Sequence, residues 1–393
     1  MVGPFGLHPN KTMQSRALGL ARPLVATGHV VRMFMPPWHT PAEANRSWEI
    51  DGVQLRYVPL RGGVPGITRQ LVREVLAWQP DVVYCFKPKA YSGLVAWWLW
   101  QFHRHRLPLV TDTDDWEGWG GWNERAPYSR IQKHFFAWQE QWGIRHCHLL
   151  TVASRALETI VWGMGVAPAR VLYVPNGPGV TVDWQVGDKV YKSARQAQRI
   201  KLGLADRPIL LLYSRLFEFD TARLVDILAR VKTAVPHLAI LSIGTGLYND
   251  DTHRLRQYLV NANLLDNITD IGWAEPENLP SLLAAADVGI YLMEDSLLNR
   301  TKCPVKLADM LAAGIPVVAE AVGQVTEYVR SGYNGLLRAS GDTEGIASDI
   351  IHLLQHHEER QYLATNAQTH IRTHFHWSSL AEQVGQRLAK LCQ

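Results

Sequence analysis

Apolar and β-branched positions come in short runs, at 29–35, 53–58, 81–86, 107–111, 149–153 and 171–174. Between them lie longer stretches with apolar residues three or four apart, at 12–26, 67–78, 91–104, 131–145 and 155–162. The short runs predict strands and the longer periodic stretches predict helices. The pattern pauses at 175–207, where Asn176-Gly177-Pro178-Gly179 precedes a polar run at 188–198; such a stretch reads as a linker. It then restarts, with strands expected at 209–213, 238–243, 268–271, 288–292 and 316–319. Helices are expected at 221–233, 251–262, 279–286, 305–313 and 325–330, and 343–391 is nearly all helical. Regular alternation argues for parallel, doubly wound sheets. The expected architecture is α/β: two Rossmann-like domains at 1–178 and 208–372 facing a cleft, a hinge at 179–207, and a helix at 373–393 packing back toward the first domain. Ligands of open α/β sheets sit at the carboxyl ends of the strands, beside helix N-termini.

Composition narrows the function classes. Of 393 residues, 47% are hydrophobic and 19% charged, enough to build a core in each domain. A net charge of +4 is mildly basic, short of a nucleic-acid-binding profile, and suits an anionic ligand. Cys85, Cys147, Cys303 and Cys392 lie far apart with no CxxC spacing, which predicts free thiols in a reducing compartment. Residues 1–10 lack the basic start and apolar run of a secretory signal. The most apolar stretch, 93–100, falls short of the roughly 20 residues that span a bilayer. The expected location is cytoplasmic, at most peripheral at the inner face of the membrane.

The densest chemistry lies at 299–318. A cation-bearing loop, Asn299-Arg300-Thr301-Lys302-Cys303, enters a helix at Pro304-Val305. Proline suits the first helical turn, and the free N–H groups there form an anion site. Lys302 and Lys306, four apart, can both reach such an anion, or both can be solvated side chains of an amphipathic helix. Asp309 follows one turn later, where a carboxylate can accept from a pair of sugar hydroxyls.

This stretch resembles the donor-site signature of glycosyltransferase family 4, a GT-B family, written Pro/Ser-x-Lys-Leu-x-Glu-x-x-Ala-x-Gly-x-Pro-Val-Val. The matching residues are Pro304, Lys306, Leu307, Asp309, Ala312, Gly314, Pro316, Val317 and Val318. The resemblance implies that Asp309 holds the nucleotide ribose. Thr301 stands where many members carry a further Glu near the donor sugar. Leu212-Tyr213-Ser214-Arg215 is similar to a strand that ends in Gly-Arg, whose Arg binds donor phosphates; Asp220 replaces a Lys usual five residues on. Ile243-Gly244-Thr245-Gly246 resembles the next glycine turn, and Gly272-Trp273 falls where the family contacts the nucleobase. Ala286-Asp287-Val288 and the pair Gly323 and Glu327 complete a likeness over 209–377. In the first half, Gly3-Pro4-Phe5-Gly6-Leu7 resembles the family's first loop, which puts Gly6 beside a ligand.

Other residues are candidates on weaker patterns. Asp114, in Asp112-Thr113-Asp114-Asp115-Trp116-Glu117, occupies a position where the family often has His; there it would polarise an acceptor hydroxyl or orient the donor sugar. Asp112-x-Asp114 also has the form of a metal motif in another transferase fold. No metal is expected, because cations and a helix terminus already meet the phosphates. Lys11, Arg16, Lys87 and Lys89 are candidates for an acceptor phosphate, or surface cations. Trp116, Trp119 and Trp122, interleaved with glycines, would stack on sugar faces or pack the domain edge. Trp97, Trp98 and Trp100 would pack on the sheet or present an aromatic and basic edge to a membrane.

The resemblance implies a retaining, metal-independent transfer from a UDP- or GDP-linked sugar to a saccharide or lipid-linked acceptor, in cell-surface polysaccharide or glycolipid synthesis. Asp114, Lys302 and Lys306 are its expected catalytic groups, and no cofactor beyond the nucleotide sugar is expected. Two rivals share the fold: a nucleotide-sugar epimerase, and a degenerate subunit that binds a nucleotide sugar without turnover.

Overall fold

The computed structural model describes residues 1–9, 12–245 and 249–393, Asn249 by its backbone alone. Lys11 and Gly246 lie outside the described residues. The chain divides into two compact units. The first comprises Met1–Gly177, Arg300–Cys303 and His376–Gln393; the second comprises Pro178–Asn299 and Pro304–Phe375.

The first unit holds β1 (Arg32–Met35), β2 (Ser47–Ile50), β3 (Val53–Tyr57), β4 (Val83–Phe86), β5 (Leu109–Thr113), β6 (Leu149–Val152) and β7 (Val171–Tyr173). The strand orders are β1-β3-β2 and β4-β5-β6-β7. Val2 joins the two ribbons by bridging in parallel to Phe34 and to Cys85. Strand order therefore reverses at Val2, and the Gly3–Leu7 loop leaves the sheet at that point. β4 to β7 are buried along their lengths except β7, as expected of parallel strands covered on both faces. The helices are α1 (Leu18–Ala26), preceded by a π-helical turn Thr12–Ala17, then α2 (Gly63–Ala77), α3 (Ala90–His103), α4 (Trp122–Arg125), α5 (Arg130–Arg145) and α6 (Arg155–Gly163).

The second unit holds α7 (Lys189–Lys201), α8 (Thr221–Ala234), α9 (Asn249–Asn261), α10 (Leu279–Ala284), the start of α11 (Leu297–Thr301), α12 (Val305–Ala312), α13 (Val325–Tyr328), α14 (Thr343–Gln355) and α15 (His357–His374). Its parallel sheet has the order β10-β9-β8-β11-β12-β13, where β8 is Ile209–Tyr213, β9 Ala239–Ile243, β10 Ile268–Asp270, β11 Val288–Tyr291, β12 Val317–Glu320 and β13 Gly335–Arg338. In sequence ranks this is 3-2-1-4-5-6, the doubly wound dinucleotide-fold order, with the reversal between β8 and β11. The last helix, α16 (Trp377–Leu391), belongs to the first unit and packs on α1. A Cβ on Gly19 would stand 2.7 Å from the Trp377 ring, so glycine lets the two helices meet.

β2, β13, α7 and the short helices α4 and α11 escape the periodicity reading. β2 is a short antiparallel edge strand with alternating exposed and half-buried residues. β13 is four residues long. α7 occupies the polar run expected to be linker. Asp188 caps it by accepting from Tyr191 N–H at 2.6 Å. Arg195 and Arg199 anchor it to the Asp287 carboxylate and to carbonyls at 284–286.

Arg16 is the most buried cation of the first unit, 1% exposed. Its Nε and Nη2 donate to Asp112 Oδ1 and Oδ2 at 2.7 and 2.6 Å. Its Nη1 donates to Val174 O and Asn176 Oδ1, both at 2.9 Å. Thr151 Oγ1 donates to Asp112 Oδ2 at 2.6 Å. The pair ties the first helical turn to β5, β6 and the end of β7. Removing one partner leaves a buried charge uncompensated, at a cost of about 3–5 kcal/mol. Arg16→Met is therefore expected to lower the unfolding free energy of the first unit by that amount, in a denaturant titration followed by tryptophan fluorescence; an unchanged unfolding free energy would mean the pair contributes nothing net.

Candidate active site

In the second unit the chemistry gathers at the switch point. β8 ends at Tyr213, followed by Ser214 and Arg215, and β11 ends at Tyr291. Between them lies a narrow hollow lined by Tyr213, Ser214, Glu218, Phe219, Ile290, Tyr291, Leu292 and Lys306. Lys306, in the first turn of α12, lies with Nζ 4.7 Å from the centre of the Tyr213 ring. Gly244, at the end of β9, has φ +80°, and a Cβ there would stand 2.8 Å from Lys306 Nζ. The left-handed backbone favours glycine, and a side chain there would push the lysine tip aside. Gly244 N–H donates to Gly272 O at 2.7 Å, and Gly272 N–H and Thr245 Oγ1 both donate to Asp270 Oδ1. The glycine turns at 244 and 272 are thus one hydrogen-bonded structure. Trp273, beside them, is 61% exposed.

Asp309 is 3% exposed. Its Oδ1 accepts from Gly179 and Val180 N–H at 2.6 and 3.1 Å. Burial pushes its carboxyl up to about 7, against the pull of those N–H groups and of Lys306. The structure thus gives Asp309 a positioning task, holding the chain at 179–180, that its place in the signature did not disclose. Asp220 is explained in the same way: it caps α8 by accepting from Ala222 N–H at 2.9 Å. A lysine at 220 would lose that cap, worth about 1 kcal/mol.

In the first unit the carboxyl ends of β4 and β5 carry a buried charge cluster. Lys87 has φ +52°, a left-handed conformation uncommon for lysine. Its Nζ lies 3.0 Å from Asp114, 3.3 Å from Asp115 and 2.9 Å from Glu117. Lys89 Nζ meets Glu117 Oε2 at 2.5 Å. Burial would lower the Lys87 ammonium, but Asp114, Glu117 and Asp115 outweigh it and hold it well above its usual range. Burial would raise Glu117, but Lys87 and Lys89 hold it at about 2. Asp115 is pushed up to about 6 by burial, with Lys87 pulling it down and Asp114 and Glu117 pushing it up.

These facts revise several sequence-based expectations. Arg16 spends its guanidinium inside the unit, so it is no acceptor contact. Lys87, 6% exposed, is the counter-ion of Asp114 rather than a surface cation, and Lys89 is paired with Glu117. Trp116 packs in the core with Ile144 and Val152, its Nε1 donating to Trp119 O at 2.8 Å; Trp119 is 45% exposed. Gly6 serves packing: a Cβ there would stand 2.8 Å from the Tyr57 hydroxyl, which accepts from Leu7 N–H at 2.9 Å. Leu99, Val95 and Ala96 bury the inner face of α3 with Trp100 packed beside them, while Trp98 is 40% exposed. Lys302 and Lys306 do not share a helix: α11 ends at Thr301 and α12 begins at Val305. Thr301 and Lys302 lie in the first unit, where Ser154 Oγ donates to Thr301 O at 2.7 Å and Lys302 Nζ lies 5.2 Å from the Trp122 ring centre.

The sequence reading missed Gln139 and Glu140, on the inner face of α5. Gln139 clasps the start of α3, its Oε1 accepting from Ala90 N–H and its Nε2 donating to Ala90 O. Glu140, fully buried, accepts from Glu117 N–H at 2.8 Å. Two polar residues beside Ala137, Gly143 and Ile144 on an inward face were the available signal. Burial raises the Glu140 carboxyl to about 8. An unfolded chain ionises this group from about 4.5 upward while the folded one keeps its proton. Its contribution to stability is therefore full below about 4.5 and is lost as pH rises toward 8. Glu140→Gln, which imitates the neutral acid, is expected to flatten the fall in melting temperature across that window; an identical fall in the variant would clear Glu140 of responsibility.

Residues 11–177 match the family described as Glycosyl transferase 4-like domain, and residues 207–356 match Glycosyl transferases group 1. Phosphatidyl-myo-inositol mannosyltransferase of Mycobacterium leprae is 22% identical over 396 aligned positions, covering 98% of this chain and 94% of its own. N-acetyl-alpha-D-glucosaminyl L-malate synthase of Bacillus anthracis is 24% identical over 247, covering 62% of this chain; the match spans only 60% of that relative's length. Among solved structures, HepE of Anabaena in complex with UDP and glucose gives a TM-score of 0.73 at 19% identity, over 99% of this chain and 98% of HepE. WaaG, a glycosyltransferase involved in lipopolysaccharide biosynthesis, gives 0.70 at 15%, over 98% of each chain. Both likenesses speak to the fold, which is GT-B. With one domain of this kind matched in each half, the chain belongs to the group 1 glycosyltransferases of family 4.

Proposed function

We propose that this glycosyltransferase moves a sugar from a UDP- or GDP-linked donor to a saccharide or lipid-linked acceptor, with retention and without a metal. Its setting is cell-surface polysaccharide or glycolipid synthesis, on the cytoplasmic side and in peripheral contact with the membrane. The observation that carries the donor assignment is the switch point of the second sheet. Lys306, in the first turn of α12, lines the hollow beside Tyr213 and the Gly244 turn, and Arg215 follows β8 two residues after Tyr213. This arrangement suits a diphosphate. HepE, of the same fold, holds UDP and glucose, which supports the nucleotide class. The mannosyltransferase relative, by its name, acts on a phosphatidyl-inositol, which supports a lipid-linked acceptor.

Lys306, Arg215 and the helix terminus would stabilise charge building on the departing diphosphate. Lys302 would add a cation from the 300–303 segment, and Asp309 would accept from the ribose. In the first unit Asp114, held by Lys87 and by Thr12 Oγ1 at 3.2 Å, would orient the donor sugar or polarise the acceptor hydroxyl. Asp112 and Asp114 are neutralised by Arg16 and Lys87, which favours the metal-free reading.

Lys306→Ala is expected to lower turnover at least about a hundredfold, near 2.7 kcal/mol, the lower figure for removing one preorganised transition-state donor. The loss should fall on kcat, because leaving-group charge develops in the transition state. The assay is release of nucleotide diphosphate from a donor first found by a thermal-shift screen of nucleotide sugars. Near-normal turnover in the variant would remove the lysine from the diphosphate site, and binding with no turnover in the wild type would favour the degenerate subunit. Turnover is also expected to survive exhaustive EDTA; loss restored by a divalent ion would make the Asp112–Asp115 carboxylates a metal site.

A further inference from the structure

α3 and α5 of the first unit follow consecutive strands of one parallel sheet, β4 to β5 and β5 to β6. Right-handed crossovers in the same direction put both helices on the same face of that sheet, and they pack side by side. Their outer surface is unusual. On α5, Ile131, Phe135 and Trp138 recur at i, i+4 and i+7 and are 82%, 38% and 45% exposed. This spacing makes one helical stripe, on the side opposite Ala137, Gly143 and Ile144. On α3, Trp98 and Phe102 are 40% and 62% exposed, their rings 5.0 Å apart.

The two helices are joined by a ladder of rings. Phe135 stacks on Trp138 at 5.8 Å, Trp138 neighbours Trp142 at 6.3 Å, Trp142 stacks on His146 at 4.4 Å, and His146 meets Trp100 of α3 at 5.8 Å. The ladder carries the α5 stripe to Trp100 of α3. The exposed charges on the two helices have one sign, and Glu124 on the neighbouring α4 is an exposed acid. α3 contains no acidic residue, and the one acid in α5, Glu140, is buried. Arg106, Arg130 and His134 are exposed at its margins, and Lys133 is half-buried. Among the described residues no helix is long and apolar enough to cross a membrane.

We propose that the α3–α5 face docks flat on an anionic lipid bilayer. Ile131, Phe135, Trp138 and Phe102 enter the headgroup boundary, and the arginines and lysine meet lipid phosphates. Aromatic side chains with an apolar body and a polar edge favour that depth, and cations at the margin add attraction to anionic headgroups. The excess of cations along these helices selects anionic over neutral lipid. This assignment rests on the peripheral-membrane part of the proposed function and names the surface that performs it.

The test is co-sedimentation of the full chain with vesicles of neutral phosphatidylcholine and with vesicles containing one-third phosphatidylglycerol. Binding is expected to the anionic vesicles, to weaken with salt, and to be negligible on the neutral ones. Phe135→Glu with Trp138→Glu should reduce the bound fraction at least tenfold. Arg106→Gln with Arg130→Gln should reduce it severalfold and remove most of the salt dependence. These side chains are exposed, so the melting temperature and the release of nucleotide diphosphate without vesicles should stay at wild-type values, which shows the variants are folded. If the wild type binds neither vesicle, peripheral membrane contact itself fails. If it binds but the variants bind equally, another surface docks and the assignment of this face fails. A stable dimer of the wild type, dissolved by Phe135→Glu with Trp138→Glu in sedimentation velocity, would overturn it in favour of a second copy as the occupant.

Discussion

The first unit is organised around charge that has been taken out of water. Arg16 and Asp112 are 1% and 0% exposed, and every stabilising contact that makes this tolerable comes from a different stretch of chain: the first helical turn, β5, β6 through Thr151, and the Val174–Asn176 segment. Lys87 with Asp114, Asp115 and Glu117 repeats the arrangement at the ends of neighbouring strands. Buried pairs of this kind contribute little net stability but penalise any arrangement that separates them. They therefore fix geometry more than they add free energy, and the place they fix is the carboxyl end of the sheet. Glu140 extends the cluster by holding the backbone of Glu117, and it does so as a neutral acid because its burial outweighs the pull of Lys87 and of the Glu117 and Gly118 N–H groups.

The second unit is organised differently. Its polar end is shaped by glycine. Gly244, in a left-handed backbone, sits against the tip of Lys306, and the 244–272 hydrogen bond turns two loops into one support. The sheet order, with its reversal between β8 and β11, opens a hollow at the same point. Asp309 ties the signature helix to the chain at 179–180 through two backbone N–H groups, so that helix anchors the connection preceding α7.

Much of this was legible in the chain. Alternation of short β-branched runs with 3.6-residue periodicity gave two doubly wound sheets, because parallel strands buried on both faces leave little latitude in composition. The signature at 304–318 was legible because each residue meets a local demand, with proline opening the helix and Gly314 closing it. α7 was not legible: its stability comes from Arg195 and Arg199 reaching Asp287, almost ninety residues away, and a polar run without that partner looks like linker. β2 escaped because its exposed and half-buried residues carry no apolar run, and β13 because Gly335 and Arg338 leave only Leu336 and Leu337 to signal it.

The candidate site shows the same division. The sequence determined which residue types stand at the strand ends, and hence that cations, carboxylates and glycine turns would cluster there. Only the tertiary structure decided which charges face inward and cancel. Arg16, Lys87 and Lys89 looked like three available cations, and the fold gives each a carboxylate partner. Lys302 and Lys306 could be a loop and a first helical turn or one helical pair, and the break between α11 and α12 decides for the first. Trp97, Trp98 and Trp100 of α3 could pack on the sheet or form an outer edge, and the fold divides them, with Trp100 against the core and Trp98 exposed. A sequence specifies local preference and residue chemistry; pairing of charges and choice of face depend on distances between segments far apart in the chain, and those exist only once the sheets have formed.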